Sequence, residues 1–366
     1  MAAAKSSTAL TTAWLMLIAA CAGAAAWIFD AGRFRPRISL NVPRVEITLP
    51  EADLSKVAGA KAPAPGETAT APTSQAAATT APVSADPTPK PTEVALAPVD
   101  PALTEPSAYG GDLPKMSADH TKQPWKLYAG HFDASDPRPR IAVVMTQLGL
   151  SRETTDKAIT ELPAGVSFSY SPYSPGLPTW VSRARAFGHE AWLDLAFEPQ
   201  DFPTNDPGPA TLLLDLSPTD NIARMEWVLA RAPAVVGVLA RHGERMLGSD
   251  QAMAPLAKSL RERGLAWIDN RAVGRPAMVR LTRDFALPFG YTDIIVSDAE
   301  MLPDALHTVE SLAGGRGTAV LAVDASMGAI ERLKPWLETL EAKGFALAPA
   351  TSAINRQLER FAVATQ

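Results

Sequence analysis

Short apolar runs alternate with amphipathic stretches along the C-terminal part of the chain. Eight of the runs read as buried strands: IAVVMT (141–146), VSFSY (166–170), EAWLDL (190–195), VVGVLA (235–240), LAWID (265–269), DIIVS (293–297), TAVLAVD (318–324) and FALAP (345–349). They are nearly continuous rather than alternating, the pattern of strands covered on both faces. Between them, Ser249 is placed to cap a helix with Met253, Leu256, Ala257 and Leu260 on one face, closed by Gly264. Ser217, followed by Pro218 and Asp220, starts a helix carrying Ile222, Met225 and Leu229. Leu302, Leu306, Val309 and Leu312 make a third stripe, ended by Gly314-Gly315. Such alternation predicts an α/β fold with a parallel sheet, either closed into a barrel or open and doubly wound.

The N-terminal part has a different pattern. A short segment, 1–7, precedes TALTTAWLMLIAACAGAAAWIF (8–29), an apolar run of the length that crosses a bilayer as a helix. A cleaved signal peptide would use the small residues around Ala20 to Ala26. Ile18-Ala19-Ala20-Cys21 also resembles a bacterial lipobox, whose Cys would be acylated. The run continues through Trp27 and Phe29, which favours an uncleaved transmembrane anchor. Lys5 precedes the span and Arg33, Arg35 and Arg37 follow it, a bias towards a cytoplasmic C-terminus that large domains override. Residues 30–50, with ISLNVPRVEITL (38–49), form a juxtamembrane segment with some β character. From 51 to 137 the chain is rich in Ala, Pro and Thr and poor in aromatics, so it buries too little surface to offset its ordering entropy. It is expected to be a disordered linker; as a coil, about 70 residues reach about 45 Å. Residues 138–366 are expected to form the globular domain.

Charge and cysteine usage narrow the function. A net charge of −5 over 366 residues is too mild to indicate a nucleic-acid partner. The single cysteine, Cys21, excludes an intramolecular disulfide and a cysteine-built zinc site. AGGRG (313–317) precedes a strand rather than following one, so it reads as a helix-ending turn and not a phosphate loop. Neither Gly-x-Ser-x-Gly nor His-Glu-x-x-His occurs.

If the strands are parallel, their carboxyl ends share one rim, where ligands collect in α/β folds. That rim carries Thr146 and Gln147; Asp194, Glu198 and Asp201; Arg241, His242 and Glu244; Asp269 and Arg271; Asp293 and Asp298; and Asp324. This set can bind a divalent metal, run acid/base chemistry on a polar substrate, or form a solvated ring of salt bridges. Asp269 and Arg271 equally read as a structural ion pair, Glu198 as a loop brace and Asp324 as an acid at a helix N-terminus. Tyr170, Tyr173, Trp180, Trp192 and Trp267 could stack on sugars, although at strand and helix positions aromatics are more often core.

In order along the chain, VVMTQLG (143–149), AFEPQDFPTNDPGPATLL (196–213), GVLARHGERM (237–246), IDNR (268–271) and AVDAS (322–326) resemble the motifs of the divergent polysaccharide deacetylase family. Its members tend to read I-D-D-L-G, M-E-P with N-P-G-P-x-T-L, G-V-N-N-H-M-G-S, L-D-S-R and G-H-P. The resemblance spans about residues 138 to 352. It implies a distorted (β/α) barrel and a hydrolase in which Asp and His hold a divalent metal, usually zinc, that activates water against an N-acetyl carbonyl. The family's paired Asp fall here on Thr146 and Gln147, and its two His on Arg241, with His242 one place later, and on Asp324. Thr and Gln are poor zinc ligands beside Asp and His. The expectation is therefore an envelope protein of the bacterial inner membrane with its domain in the periplasm. Its metal site is degenerate, it has no cofactor, and it binds envelope glycan or an envelope protein. The alternative is an active metal-dependent deacetylase with a rebuilt site holding zinc or another divalent metal. There Asp269, Glu198, Asp324 and His242 would be catalytic, and Arg271, Asp201, Asp293 and Arg241 would bind substrate.

Overall fold

A computed structural model describes residues 95–354, apart from 272 and 275, together with residue 357. The expected anchor at 8–29, the lipobox cysteine, the juxtamembrane segment and the linker up to 94 lie outside the described residues. Among the described residues, no helix is long and apolar enough to cross a membrane.

A small antiparallel hairpin, β1 (Thr104–Pro106) and β2 (Asp112–Pro114), precedes the main sheet. The sheet contains β3 (Arg140–Leu148), β4 (Ser167–Tyr170), β5 (Ala191–Ala196), β6 (Gly237–Arg241), β7 (Ala266–Asp269), β8 (Phe289–Tyr291), β9 (Ile294–Val296), β10 (Thr318–Asp324) and β11 (Ala346–Leu347). Its order is β8-β7-β6-β5-β4-β3-β10-β9, with β11 beside β3, and every pairing is parallel. Each of the eight apolar runs contains a strand. Side chains from Ile141 to Met145 are fully buried, as expected of strands covered on both faces.

The two ends of this sheet are consecutive stretches of chain. Thr292 and Asp293 alone separate β8 from β9. The Thr292 N–H donates to Asp269 O on β7 at 2.9 Å, and the Asp293 N–H donates to Val320 O on β10 at 2.8 Å. One split strand thus bonds both edges, and the parallel sheet curls round onto itself as a barrel rather than lying open. The hydrophobic pattern missed β8 because Phe289-Gly290-Tyr291 is three residues long and follows a proline. FALAP, by contrast, is no member of the ring. Its β11 pairs Ala346 with Arg140 on the lower part of β3, below Val144, where β4 begins to pair.

The helices dock where their caps place them. Ser249 Oγ accepts the Ala252 N–H at 3.3 Å, and helix Asp250–Glu262 buries Met253, Leu256, Ala257 and Leu260. Ser217 caps helix Pro218–Leu229 in the same way, with Met225 and Leu229 buried and Ile222 partly so. Helix Leu302–Arg316 does not stop at Gly314-Gly315; it runs through both and ends at Gly317, whose φ of 76° supplies the left-handed turn.

The end of the barrel opposite the strands' carboxyl rim is plugged by the last described residues. Arg140 donates to Ser352 O at 3.1 Å, and a Cβ on Gly290 would fall 2.4 Å from Ile354 Cγ1. Gln357 makes two hydrogen bonds to the Tyr291 backbone, at 3.0 Å and 3.1 Å, like a neighbouring strand residue. The fully buried Glu190 ties this floor together. Its carboxylate accepts Trp192 Nε1 at 2.7 Å, the Gly130 N–H at 2.9 Å, Ser167 Oγ at 3.2 Å and the Thr351 N–H at 3.2 Å, and it also takes the Thr351 hydroxyl.

Residues 95–137, expected to be the end of a disordered linker, are instead an ordered arm on this domain. Leu96, Leu103, Leu113 and Tyr128 are buried, and Arg185 donates to Ala97 O at 2.7 Å and to Tyr128 O at 2.9 Å. The arm is held at a few isolated apolar residues and through its backbone carbonyls, so it has no periodicity to betray it.

Replacing Glu190 with Ala strands a buried indole N–H, two backbone N–H groups and two hydroxyls. We expect Glu190→Ala to lower unfolding free energy by about 3 kcal/mol or more. Urea unfolding of the full chain checks this, and a loss below about 1 kcal/mol would contradict it.

Candidate functional site

The carboxyl ends of β3, β6 and β10 converge on one cluster of side chains. Thr146 and Asp324 are direct partners in the β3–β10 register. Thr146 Oγ1 donates to Asp324 Oδ1 at 2.6 Å, and Gln147 Nε2 donates to Asp324 Oδ2 at 2.9 Å. Arg241 leaves β6, separated from β3 by β5 and β4, and reaches across the barrel mouth. Its guanidinium meets Asp324 in a fork, Nη1 to Oδ1 at 2.8 Å and Nη2 to Oδ2 at 3.1 Å, and Nη1 also donates to Thr146 Oγ1 at 3.2 Å. Asp194, at the end of β5, completes the cluster: Oδ1 accepts Ser169 Oγ at 2.6 Å and Oδ2 accepts the Gln147 N–H at 2.8 Å.

Successive strand residues ordinarily point to opposite faces. Here they do not, because Gln147 and His242 adopt left-handed backbone, with φ of 59° and 58°. Non-glycine residues rarely occupy this region, and they concentrate at functional sites when they do. The turn lets Thr146 and Gln147 both reach Asp324, and lets Arg241 and His242 both line one cavity. The one-residue offset of His242 from the family's His position therefore does not turn it away. Its carbonyl accepts Asn270 Nδ2 at 2.7 Å, which fixes the turn.

The electrostatics centre on the guanidinium. Burial raises the Asp324 carboxyl, but the Arg241 charge and hydrogen bond and the Thr146 hydroxyl outweigh it, leaving Asp324 below the usual Asp value. Burial pushes Asp194 up, against the Arg241 charge and its two hydrogen bonds. Burial and then the neighbouring Arg241 charge push His242 down, so its neutral form is favoured.

A cavity of about 280 Å³ opens beside the cluster. Gln147, Ser171, Asp194, Asn205, Arg241 and His242 are polar residues of its wall, and Tyr173 also lines it. Tyr173 Oη accepts the Ala210 N–H at 2.9 Å, and its ring lies where a Cβ on Gly208 would stand, so it holds the NDPGPATLL loop in place. Of the other aromatics, Tyr170, Trp192, Trp267 and Trp180 belong to the core.

The remaining rim residues have separate duties. Glu198 is buried, pairs with Arg245, and accepts the Leu214 N–H at 2.9 Å, bracing the base of the loop. Asp201 is exposed on that loop, and its carbonyl accepts the Thr204 N–H at 2.9 Å. Asp269 is buried, and its carboxylate accepts the backbone N–H of Arg271 at 2.7 Å, holding Arg271 at a φ of 55°. The Arg271 guanidinium lies 5.1 Å from the Tyr291 ring centroid. The expected Asp269–Arg271 pairing is thus a carboxylate-to-backbone turn. Asp293 is not on the rim. It receives Arg316, the last residue of the helix feeding β10, at 3.2 Å, and Oδ2 accepts the Val320 N–H at 2.9 Å, low on the barrel wall. Asp298 caps the short turn after β9 through the Glu300 N–H at 3.0 Å. Sequence reasoning singled out neither Ser169 nor Asn205. Ser169 had a readable signal, a serine alternating with Phe168 and Tyr170 on the same strand face as Ser167, whereas Asn205 had none beyond its loop.

This donor set does not fit a divalent metal. Among the positions that carry the family's ligands, Asp324 alone is a carboxylate, and both of its oxygens are bound to a cation already. Among the described residues, no group of three His, Cys, Asp or Glu side chains is arranged to hold a metal ion.

With this geometry in hand, comparison with known proteins places the chain. The family model of divergent polysaccharide deacetylases matches residues 143–354, and the chain belongs to that family. An uncharacterized protein of Agrobacterium tumefaciens C58 has a similar structure, with 26% identity and a TM-score of 0.63 over 66% of this chain and 99% of its own. A putative cellobiose-phosphate cleavage protein of Enterococcus faecalis V583 is more distant, at 13% identity and a TM-score of 0.41 over 58% of this chain and 97% of its own. A mutant of a CE4 family pseudoenzyme with restored enzymatic activity matches at 12% identity and a TM-score of 0.32, over 62% of this chain and 70% of its own. No curated protein matches the chain.

The Arg241–Asp324 pair makes a signed pH prediction. Because the folded Asp324 value lies below that of an ordinary Asp, its stabilisation is complete above the ordinary value and is lost as pH falls through the depressed one. In Arg241→Met, burial acts on Asp324 without its cation, its folded value rises, and the ionised carboxylate becomes a liability at neutral pH. We expect that variant to be about 3 kcal/mol less stable near pH 7, with the gap to the parent narrowing towards about pH 4. Unfolding titrations at a series of pH values measure it, and a pH-independent gap would contradict the assignment.

Proposed function

We propose that this domain is a glycan-binding module built on a deacetylase fold, not a working deacetylase. One observation carries the reading: the residues at the family's metal positions meet at the barrel mouth, and a guanidinium bound to Asp324 stands among them. A mostly enclosed positive charge there opposes capture of a second cation and leaves no ligand set to activate water. The cavity beside it keeps features suited to a sugar, with amide and hydroxyl groups on its lining and the Tyr173 ring at its edge. An anchor over residues 8–29 and a tether towards residue 95 would hold the module in the bacterial envelope, with the domain in the periplasm and a polysaccharide of the envelope as its ligand.

The rebuilt-hydrolase alternative has little to draw on. Glu198 is paired with Arg245, Asp269 with the Arg271 backbone and Asp324 with Arg241, so these carboxylates have separate partners instead of a common target.

Two assays on the purified full-length chain test the proposal, one for acetate release from N-acetylated oligosaccharides and peptidoglycan fragments, the other for their binding. We expect no release above background and saturable binding, weakened about tenfold or more by Tyr173→Ala. Sustained, saturable acetate release would overturn the proposal.

A further inference from the structure

The cavity at the barrel mouth is unevenly charged. Asp194 forms part of its wall. Arg241 is the cation on that wall, and both of its terminal nitrogens are committed to Asp324. Glu244, Asp324 and Asp201 act on His242 against the charge of Arg241. At the Tyr173 side, Asp206 and Arg224 offset one another. The local balance is negative even though the cluster contains an arginine.

Taking the cavity as a glycan site, we infer that it is built for a sugar carrying a free, protonated amine rather than an N-acetyl group. Asp194 supplies the acceptor. Burial pushes Asp194 up, and a bound ammonium holds it ionised; an ionised carboxylate has roughly four acceptor sites, and Asp194 uses two of them, on Ser169 and on the Gln147 N–H. Its residual exposure of 5% opens onto the cavity. An ammonium group brings three donors and a positive charge to such a wall. An N-acetyl group brings one N–H donor, no charge and a carbonyl oxygen, which an ionised Asp194 repels. Leu150, Pro172 and Val228 give the apolar part of the lining, against which the face of a pyranose ring can lie. At about 280 Å³ the cavity suits a single sugar ring. Such a module reads the deacetylated form of a glycan rather than its N-acetylated form.

Isothermal titration of the full-length chain with a glucosamine tetrasaccharide and with its fully N-acetylated counterpart tests this. The comparison is made at a pH where the amine is protonated, and repeated with Asp194→Asn. The amine form should bind about tenfold or more tightly than the acetylated form, and the advantage should shrink with added salt and vanish in Asp194→Asn. Equal or tighter binding of the acetylated form would overturn the inference while leaving the glycan reading in place. Binding of neither would overturn both. Should Asp194→Asn fold poorly, the comparison of the two sugars on the parent chain still decides.

Discussion

One ion pair organises this molecule's functional end. Arg241 crosses the barrel mouth from β6 to meet Asp324 on β10 and Thr146 on β3. A guanidinium so largely withdrawn from water needs its charge matched, and Asp324 matches it with a two-pronged contact. The rest of the site follows from that demand. Thr146 and Gln147 serve the same carboxylate, and Gln147 takes a left-handed backbone so that its side chain faces Asp324 while its N–H faces Asp194. The cluster leaves a cation in place with no room in its ligand shell for another.

The fold supports this arrangement at both ends. The split strand β8/β9 closes the sheet, which sets β3, β6 and β10 around one opening. Below, Glu190 draws the N-terminal arm, two strands and the C-terminal segment onto a single buried carboxylate. A buried polar group so fully hydrogen-bonded fixes the relative placement of chain segments that hydrophobic packing alone would leave free to slide. Rim and floor are thus each built around one carboxylate, one paired with an arginine and one satisfied by neutral donors.

Much of the barrel was legible in the chain because strands buried on both faces leave long apolar runs, and because Ser217 and Ser249 mark their helices openly. Two parts were not. Phe289-Gly290-Tyr291 is too short to announce itself, yet it closes the ring. The arm from 95 to 137 is written in the Pro-rich idiom of a linker and held by a few residues such as Leu103 and Tyr128. At the site, the positions of Thr146, Gln147, Arg241 and Asp324 were readable from motif order. Their mutual bonding was not, since it depends on the Thr146–Asp324 register and on a left-handed glutamine that residue type does not foretell. Asp293 was misplaced for a related reason: a split strand hides which of its residues lies near the rim.

Arg241 and Asp324 hold each other at the barrel mouth, where a metal-dependent hydrolase of this fold would need a free ligand set. Diffraction from crystals of the protein soaked in zinc, with anomalous data collected at the zinc edge, addresses this directly. No anomalous peak is expected at the barrel mouth, and the Arg241 guanidinium should still be forked onto Asp324. A zinc peak at about 2.0–2.2 Å from an Asp324 oxygen, with Arg241 swung away, would contradict it.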